Sequence, residues 1–166
     1  MRPVTLTLAV SVSMCACQPQ PFIDWANLTN PVLEQPDRCI KNQTVIWHDG
    51  KFWVFAFQRF EEGTPSRAGV FTTRDFKSWQ TLEPEPLAAL STSDVLDVDG
   101  RWHLVTQGPA PGTTEPLRLL HGTSKDLTTW STLDELAPNN EPTQRQIDGA
   151  LAFADGHWQL GYKGDQ

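Results

Sequence analysis

TVIWHDGKFWVFAF (residues 44–57) is the stretch that decides the fold, because it places an Asp-Gly pair between two alternating apolar runs. Asp-Gly in that setting is the strongest short-range signal for a β-hairpin, since both turn residues take a positive φ. The same pattern recurs in VLDVDGRWHLV (95–105) and in ALAFADGHWQLGY (150–162). The turn glycines of the three copies are 50 and 56 residues apart, which is the spacing of propeller blades.

A second motif follows each of the first two hairpins. TRDFKSW (73–79) matches SKDLTTW (124–130), and Asp75 and Asp126 fall 25 and 26 residues after the turn glycines of their copies. Another alternating run precedes each motif, so each repeat is predicted to contain four short strands. The last two strands meet at a polar turn in which Asp and Ser or Thr bond the local backbone. The tryptophan that ends each motif is predicted to begin the outer strand and to pack between blades.

The repeat predicts an all-β fold of the β-propeller type, with about two and a half blades present. The blades are expected at about residues 38–86, 87–138 and 139–166, the last of them incomplete. No strongly periodic amphipathic helix interrupts the pattern. A third Asp/Trp motif would fall beyond about residue 180. We therefore expect a fragment of a longer propeller, or a chain that associates with copies of itself.

The charge of the chain argues against nucleic acid as a partner. The 166 residues include 20 Asp and Glu against 13 Lys and Arg, for a formal net charge of −7. Nucleic-acid binding requires clustered Lys and Arg, and no basic amphipathic segment suggests binding to a membrane surface. Seven tryptophans supply flat apolar area that suits both sheet cores and stacking on sugar rings. Most of them are expected in the core.

Residues 1–17 are predicted to be a signal peptide. Arg2 is followed by an apolar run (4–14) that is too short to span a bilayer. MCAC (14–17) resembles a bacterial lipoprotein cleavage site with Cys17 as the lipidated residue, while ordinary cleavage without a lipid stays open. We expect an exported protein that is periplasmic, anchored to the outer membrane or extracellular, with a lipid as its only membrane attachment. Residues 18–37 are predicted to be a tether.

The cysteines and histidines predict neither disulfides nor a metal centre. After cleavage, Cys39 has no partner downstream, so no internal disulfide framework is possible. His48, His103 and His157 flank turns or strands and are expected at the surface. No Cys/His spacing matches a zinc site, and we expect no metal or cofactor.

From about residue 38 to 166, the sequence resembles the five-bladed propeller glycosidases of glycoside hydrolase family 43 and their relatives in families 62, 32 and 117. The resemblance rests on IKNQTVIWHDGKFWVFAF (40–57), TRDFKSW (73–79) and IDGALAFADGHWQLGYK (147–163). It implies hydrolysis of O-glycosyl bonds in arabinofuranosyl, xylosyl or related glycans. It also implies carboxylates on the innermost strands of successive blades, where a base activates water and an acid protonates the leaving oxygen.

The resemblance assigns three positions of the site. Asn42, eight residues before the first turn glycine, occupies the base position, and Asp94, six before the second, occupies that of a carboxylate that raises the pKa of the acid. Asp148, eight before the third, occupies the acid position, which usually holds Glu. An amide cannot take a proton from water, and loss of a general base typically costs about 10² to 10⁴ in rate. Asp is one methylene shorter than Glu, which sets its oxygens back by about 1.5 Å.

Several other residues are candidates for the chemistry or for substrate binding. Asp37 or Asp24 could supply the missing base, or blades beyond the present chain could carry the working pair. Lys41 and Arg145 lie near the predicted mouth and could bind sugar hydroxyls or a carboxylate, and Trp47 could stack on a sugar ring. Exposed charge for the cations and core packing for the tryptophan are the competing structural interpretations.

The sequence is compatible with two functional classes. The first is an exported glycoside hydrolase-like propeller, for which the carboxylates of Asp94 and Asp148 argue. The second is a non-catalytic carbohydrate-binding or degenerate propeller lipoprotein that lacks the general base, for which Asn42 and the missing blades argue. In both classes the expected partner is an oligosaccharide or a polysaccharide.

Overall fold

The computed structural model describes residues 23–29, 33–61, 64, 66–82, 87, 91–109, 116–136 and 145–164. The predicted signal peptide and Cys17 lie outside these residues. Within them the chain forms ten β-strands and one short 3₁₀ helix (Trp25–Asn27), so the prediction of an all-β fold is confirmed. This described part contains no helix that is both long and apolar enough to cross a membrane.

The strands form three antiparallel sheets, each in chain order. Blade 1 contains β1 (Arg38–His48), β2 (Lys51–Phe60), β3 (Arg67–Thr73) and β4 (Gln80–Thr81). Blade 2 contains β5 (Ser91–Val98), β6 (Arg101–Pro109), β7 (Leu117–Ser124) and β8 (Asp134–Glu135). Blade 3 is a hairpin of β9 (Gln146–Ala154) and β10 (His157–Gly164). This is the predicted pattern of two four-stranded blades followed by one hairpin.

An Asp-Gly turn closes the first hairpin of every blade. Asp49, Asp99 and Asp155 have φ values of 50°, 53° and 53°, and the glycines that follow them have values of 71°, 75° and 74°. Two consecutive positive φ values are the type I′ pattern, whose twist matches that of the flanking strands. The turns predicted from the sequence are therefore present, and they fix the pairing register of the three hairpins.

The polar turn between the third and fourth strands is the same in both complete blades. The Asp126 carboxylate accepts two backbone N–H groups at 2.9 and 2.7 Å, and the Ser124 hydroxyl accepts two more at 3.1 and 2.9 Å. Asp75 and Thr73 make the corresponding four bonds in blade 1. Because backbone N–H donors favour the ionised carboxylate, they hold the pKa of Asp126 and that of Asp75 below its ordinary value.

The main hydrophobic core lies between blades 1 and 2. Trp53 and Phe55 of β2 belong to the same buried cluster as Trp102 and Leu104 of β6. Trp130 packs against this cluster, with its ring edge-on to that of Phe55 and 6.2 Å between the centroids. The tryptophan of the second motif therefore packs between blades, as predicted.

The tryptophans of the two motifs differ from the prediction in where they lie along the chain. Both precede the outer strand instead of beginning it, because β4 starts at Gln80 and β8 starts at Asp134. Trp130 instead closes its turn through an isolated β-bridge with Ser124. Trp79 packs on a second, smaller cluster of blade 1, formed by Val54, Ala56 and Phe71.

The inner strands β1, β5 and β9 are neighbours, with β5 beside both of the others. Gly149 brings the backbone of β9 close to blade 2, since a Cβ at this position would lie 2.7 Å from Val105 Cγ1 and 3.0 Å from Leu119 Cδ2. Such a close approach requires a residue without a side chain. The packing of the three blades side by side brings together β1, β5 and β9, the strands on which the predicted site residues lie.

Candidate functional site

Each inner strand carries a β-bulge at the predicted site. The pairing of β1, β5 and β9 with the strand that follows shifts by one residue, beside Asn42, Asp94 and Asp148 respectively. Asn42 and Asp148 have φ values of +54° and +55°. Asn and Asp are the non-glycine residues that tolerate this left-handed region best. Bulges redirect side chains and are over-represented next to active sites, so this backbone is a suitable frame for a site.

Asp94 joins blade 2 to blade 3 through its carboxylate. Oδ2 accepts the N–H of Leu151 at 2.8 Å, and Oδ1 accepts the N–H of Val95 at 2.9 Å. Leu151 lies three residues after Asp148 on β9. The structure thus brings Asp94 next to the strand of Asp148, and it gives Asp94 a structural role in addition to the one assigned from the resemblance.

Gln107 is a site residue that the sequence did not indicate. Its Oε1 accepts the N–H of Asp148 at 2.9 Å, and its Nε2 donates to the Ser91 hydroxyl at 3.3 Å. Blade 2 therefore holds the bulge of β9 through the side chains of Gln107 and Asp94. The Asp148 side chain is exposed, and no residue in the described ranges hydrogen-bonds its carboxylate, so that group faces solvent.

Asn42 and Lys41 lie on the equivalent bulge of blade 1. Both are exposed, and Lys41 Nζ lies 5.1 Å from the centroid of the Phe57 ring. The attraction between the ammonium and the ring holds Lys41 against its own blade. The Asn42 amide can donate and accept hydrogen bonds to sugar hydroxyls, but it cannot serve as a general base.

The other two predicted substrate contacts lie in different places. Arg145 is exposed and directly precedes β9, three residues before Asp148. Trp47 lies next to the Asp-Gly turn, with 38% of its surface exposed and its ring edge-on to Phe52 at 4.7 Å. Five residues of extended strand separate it from Asn42, or about 16 Å at about 3.3 Å per residue. Arg145 therefore lies near the predicted site, and Trp47 lies near the far end of blade 1.

Neither upstream carboxylate is well suited to replace the missing base. Asp24 lies 3.6 Å from Lys77 Nζ, beside the turn after β3, at the end of blade 1 that is remote from the bulge. Asp37 lies at the correct end but is bonded to the Arg38 guanidinium at 2.9 Å. A hydrogen bond from Asn27 lowers the pKa of Asp24, and one from Arg38 lowers the pKa of Asp37. A lowered pKa weakens a carboxylate as a proton acceptor.

The arrangement offers an exposed carboxylate on blade 3, a bonded carboxylate on blade 2 and an exposed amide on blade 1. These groups can hydrogen-bond a ligand that carries many hydroxyls. Within the described ranges, no three His, Cys, Asp or Glu side chains converge on a position that could hold a metal ion.

No protein-family model and no curated protein matches this sequence. Solved structures do match it. A thermostable family-43 glycoside hydrolase superposes with a TM-score of 0.58 and 16% identity, over 81% of this chain and 44% of that one. A family-43 β-xylosidase/α-arabinofuranosidase from a compost microbial metagenome gives 0.53 and 13%, over 78% and 43%. The catalytic domain of a family-62 α-L-arabinofuranosidase from Coprinopsis cinerea gives 0.52 and 18%, over 78% and 47%.

These matches define the class of the fold. The chain has the β-propeller architecture of the family-43 and family-62 glycoside hydrolases, and it spans less than half the length of each of these structures. At this level of identity the likeness is one of fold, and it agrees with the resemblance drawn from the repeated motifs.

Proposed function

We propose that this chain forms part of the substrate funnel of a glycoside hydrolase-like propeller that hydrolyses O-glycosyl bonds in arabinofuranosyl or xylosyl glycans. One observation carries the proposal. Asp148 presents a free carboxylate on a bulge that Gln107 and Asp94 hold in place from the neighbouring blade. In this role Asp148 protonates the leaving oxygen, and Asp94 is the nearby carboxylate that tunes it. The xylosidase and arabinofuranosidases with the same fold support the substrate class.

Asn42 favours a second candidate function, which is carbohydrate binding without hydrolysis. Inverting hydrolysis needs a carboxylate to activate water opposite the acid, and an amide stands at that position. The same amide, together with Lys41 and Arg145, offers hydrogen-bond donors to sugar hydroxyls. The bound glycan would then remain intact.

The substitution Asn42→Asp tests whether this chain carries a hydrolytic site that lacks only its general base. Asp tolerates the positive φ of this position, as Asp148 itself does, so the variant is expected to fold. We expect no turnover of aryl arabinofuranosides or xylosides by the native chain and measurable turnover by Asn42→Asp. The control Asn42→Asp/Asp148→Asn should lose that turnover again.

Three other results of the turnover and binding measurements would lead to different conclusions. Calorimetric binding of xylo- or arabino-oligosaccharides by both proteins, with hydrolysis by neither, would support the second function. Absence of both binding and hydrolysis in the two proteins would overturn the funnel proposal. Robust turnover by the monomeric native chain would show that the base lies elsewhere than position 42.

We further propose that the protein is exported and lipidated at Cys17, with residues 18–37 as a tether and the propeller beginning near residue 38. The charged start, the apolar run and MCAC (14–17) support this proposal. Expression in a bacterium with radiolabelled palmitate should label the native chain and leave Cys17→Ser unlabelled. Equal labelling of both chains, or of neither, would contradict lipidation at this residue.

A further inference from the structure

His103 and His121 face each other on neighbouring strands of blade 2. His103 Nδ1 and His121 Nε2 are 3.1 Å apart, and the two rings are stacked with 21° between their planes. His103 pairs with Thr123 across β6 and β7, while His121 pairs with Val105. The imidazoles are therefore diagonal neighbours on one face of the sheet, close enough to act on the same atom.

The separation of these nitrogens suits two ligands of one metal ion. Two nitrogens at about 2.0–2.1 Å from a tetrahedral Zn²⁺ are about 3.3 Å apart, and adjacent ligands in a square-planar site are about 2.9 Å apart. The observed 3.1 Å lies between these values. We propose that His103 and His121 form a two-histidine site for a transition-metal dication that prefers imidazole, such as Zn²⁺ or Ni²⁺.

The electrostatics of the pair favour the neutral rings that metals bind. Burial lowers the pKa of His103 and of His121, and the pKa of His103 is lowered further by its neighbour and by Arg101. Asp97 acts to raise the pKa of His103, and Asp134 acts to raise the pKa of His121, but the lowering effects are larger. In the free protein one ring donates its N–H to the other. On metal binding that proton moves to the far nitrogen of the same ring, so the number of bound protons does not change.

Trp158 of blade 3 packs against His103, one member of the pair. Its ring centroid lies 4.6 Å from that of His103 and 5.0 Å from that of Phe153. Since no third His, Cys, Asp or Glu of the described residues completes the group, water would fill the other coordination positions. The site lies outside the proposed funnel, so its test is independent of the proposed function.

Zinc and nickel titrations of the full chain test the proposal. We expect one bound Zn²⁺ or Ni²⁺ per chain by calorimetry, and a higher melting temperature with the metal. Either His103→Gln or His121→Gln should weaken binding by about 10²-fold, because the second imidazole acts at a high effective concentration. His48→Gln and His157→Gln are matched controls that remove the other two histidines of the chain and should leave binding unchanged. Cys39→Ser controls for the exposed thiol.

An NMR measurement on the native chain keeps the proposal testable if a glutamine variant unfolds. Added Zn²⁺ should shift the imidazole signals of His103 and His121 together, in slow or intermediate exchange. Shifts confined to His48 or His157 would overturn the proposal. Affinity that survives in both His103→Gln and His121→Gln, or loss of binding in Cys39→Ser, would do the same.

Discussion

Asp94 on β5 accepts a hydrogen bond from the backbone N–H of Leu151 on β9, at 2.8 Å, across the boundary between blades 2 and 3. Its second oxygen accepts the N–H of Val95 at 2.9 Å. The carboxylate that the resemblance assigns to tuning an acid is therefore also a structural link between two blades. Loss of activity in an Asp94 variant alone would not separate these roles, so stability and exchange measurements are needed beside it.

The substitution Asp94→Asn is expected to lower the free energy of unfolding by about 1–2 kcal/mol. The amide has one oxygen for two backbone N–H groups and would turn an N–H of its own toward the other. Urea unfolding measures the loss. Asp99→Asn is the matched control, because Asn-Gly suits a type I′ turn as well as Asp-Gly does. A similar loss in both variants would contradict the link between blades.

Gly149→Ala should destabilise the contact between blades 2 and 3 by about 1–3 kcal/mol, the usual range for an overpacked site. The new Cβ would lie 2.7 Å from Val105 Cγ1 and 3.0 Å from Leu119 Cδ2. Gly161→Ala on the paired strand is the control, since apart from its two chain neighbours no heavy atom of the described residues lies within 4 Å of its Cβ position. That variant should stay within about 0.5 kcal/mol of the native chain. Two variants of equal stability would show that β9 does not pack on blade 2 in this way.

Gln107→Met should release the backbone of the bulge without emptying the space beside it. The N–H of Asp148 loses its bond to Gln107 Oε1, and its amide hydrogen exchange should accelerate roughly fivefold for a bond worth about 1 kcal/mol. Exchange at Leu151, which is bonded to Asp94, serves as the internal reference. Unchanged protection at Asp148 would mean that Gln107 does not hold the bulge.

Acid should weaken the protein in part through the turns of Asp75 and Asp126. Backbone N–H donors lower the pKa of both carboxyls in the folded state. The stability they contribute is fully present above their ordinary pKa of 3.8 and is lost as the pH falls below that value toward the folded pKa. Asp75→Asn/Asp126→Asn should therefore lose less stability than the native chain between about pH 4 and about pH 2. Thermal unfolding of the two proteins between these pH values measures the difference. If both proteins lost the same stability as the pH fell, these two turns would not be the source of the acid sensitivity.

The features of the fold that depend on neighbouring residues could be predicted from the sequence. Each Asp-Gly turn and each Asp turn is determined by four or five consecutive residues, so their positions mark the strands between them. The bulges also have a signal in the sequence. Asn42 and the Asp148-Gly149 pair interrupt otherwise apolar strands with the residue types that accept a positive φ. That backbone gives Asn and Asp a local reason to stand at the two positions where the resemblance implies a carboxylate base and a longer acid.

The contacts between blades could not be predicted in the same way. Asp94 and Leu151 are 57 residues apart, Gln107 and Asp148 are 41 apart, and no periodic pattern connects either pair. Each bond joins a side chain to a backbone N–H, which every residue except proline carries.

The buried cluster between blades 1 and 2 implies that the three blades unfold in a defined order. When repeats touch only adjacent repeats, stability approaches a sum over neighbours, as in a one-dimensional array. The pair of blades joined by Phe55 and Leu104 is the strong junction, whereas on the blade-3 hairpin Phe153, Trp158 and Tyr162 remain 39–45% exposed. Unfolding therefore starts at the hairpin. The emission of Trp158 should change at a lower urea concentration than the one at which blades 1 and 2 unfold. The first unfolding step would then remove Asp148 from the site while the rest of the sheet structure is still in place.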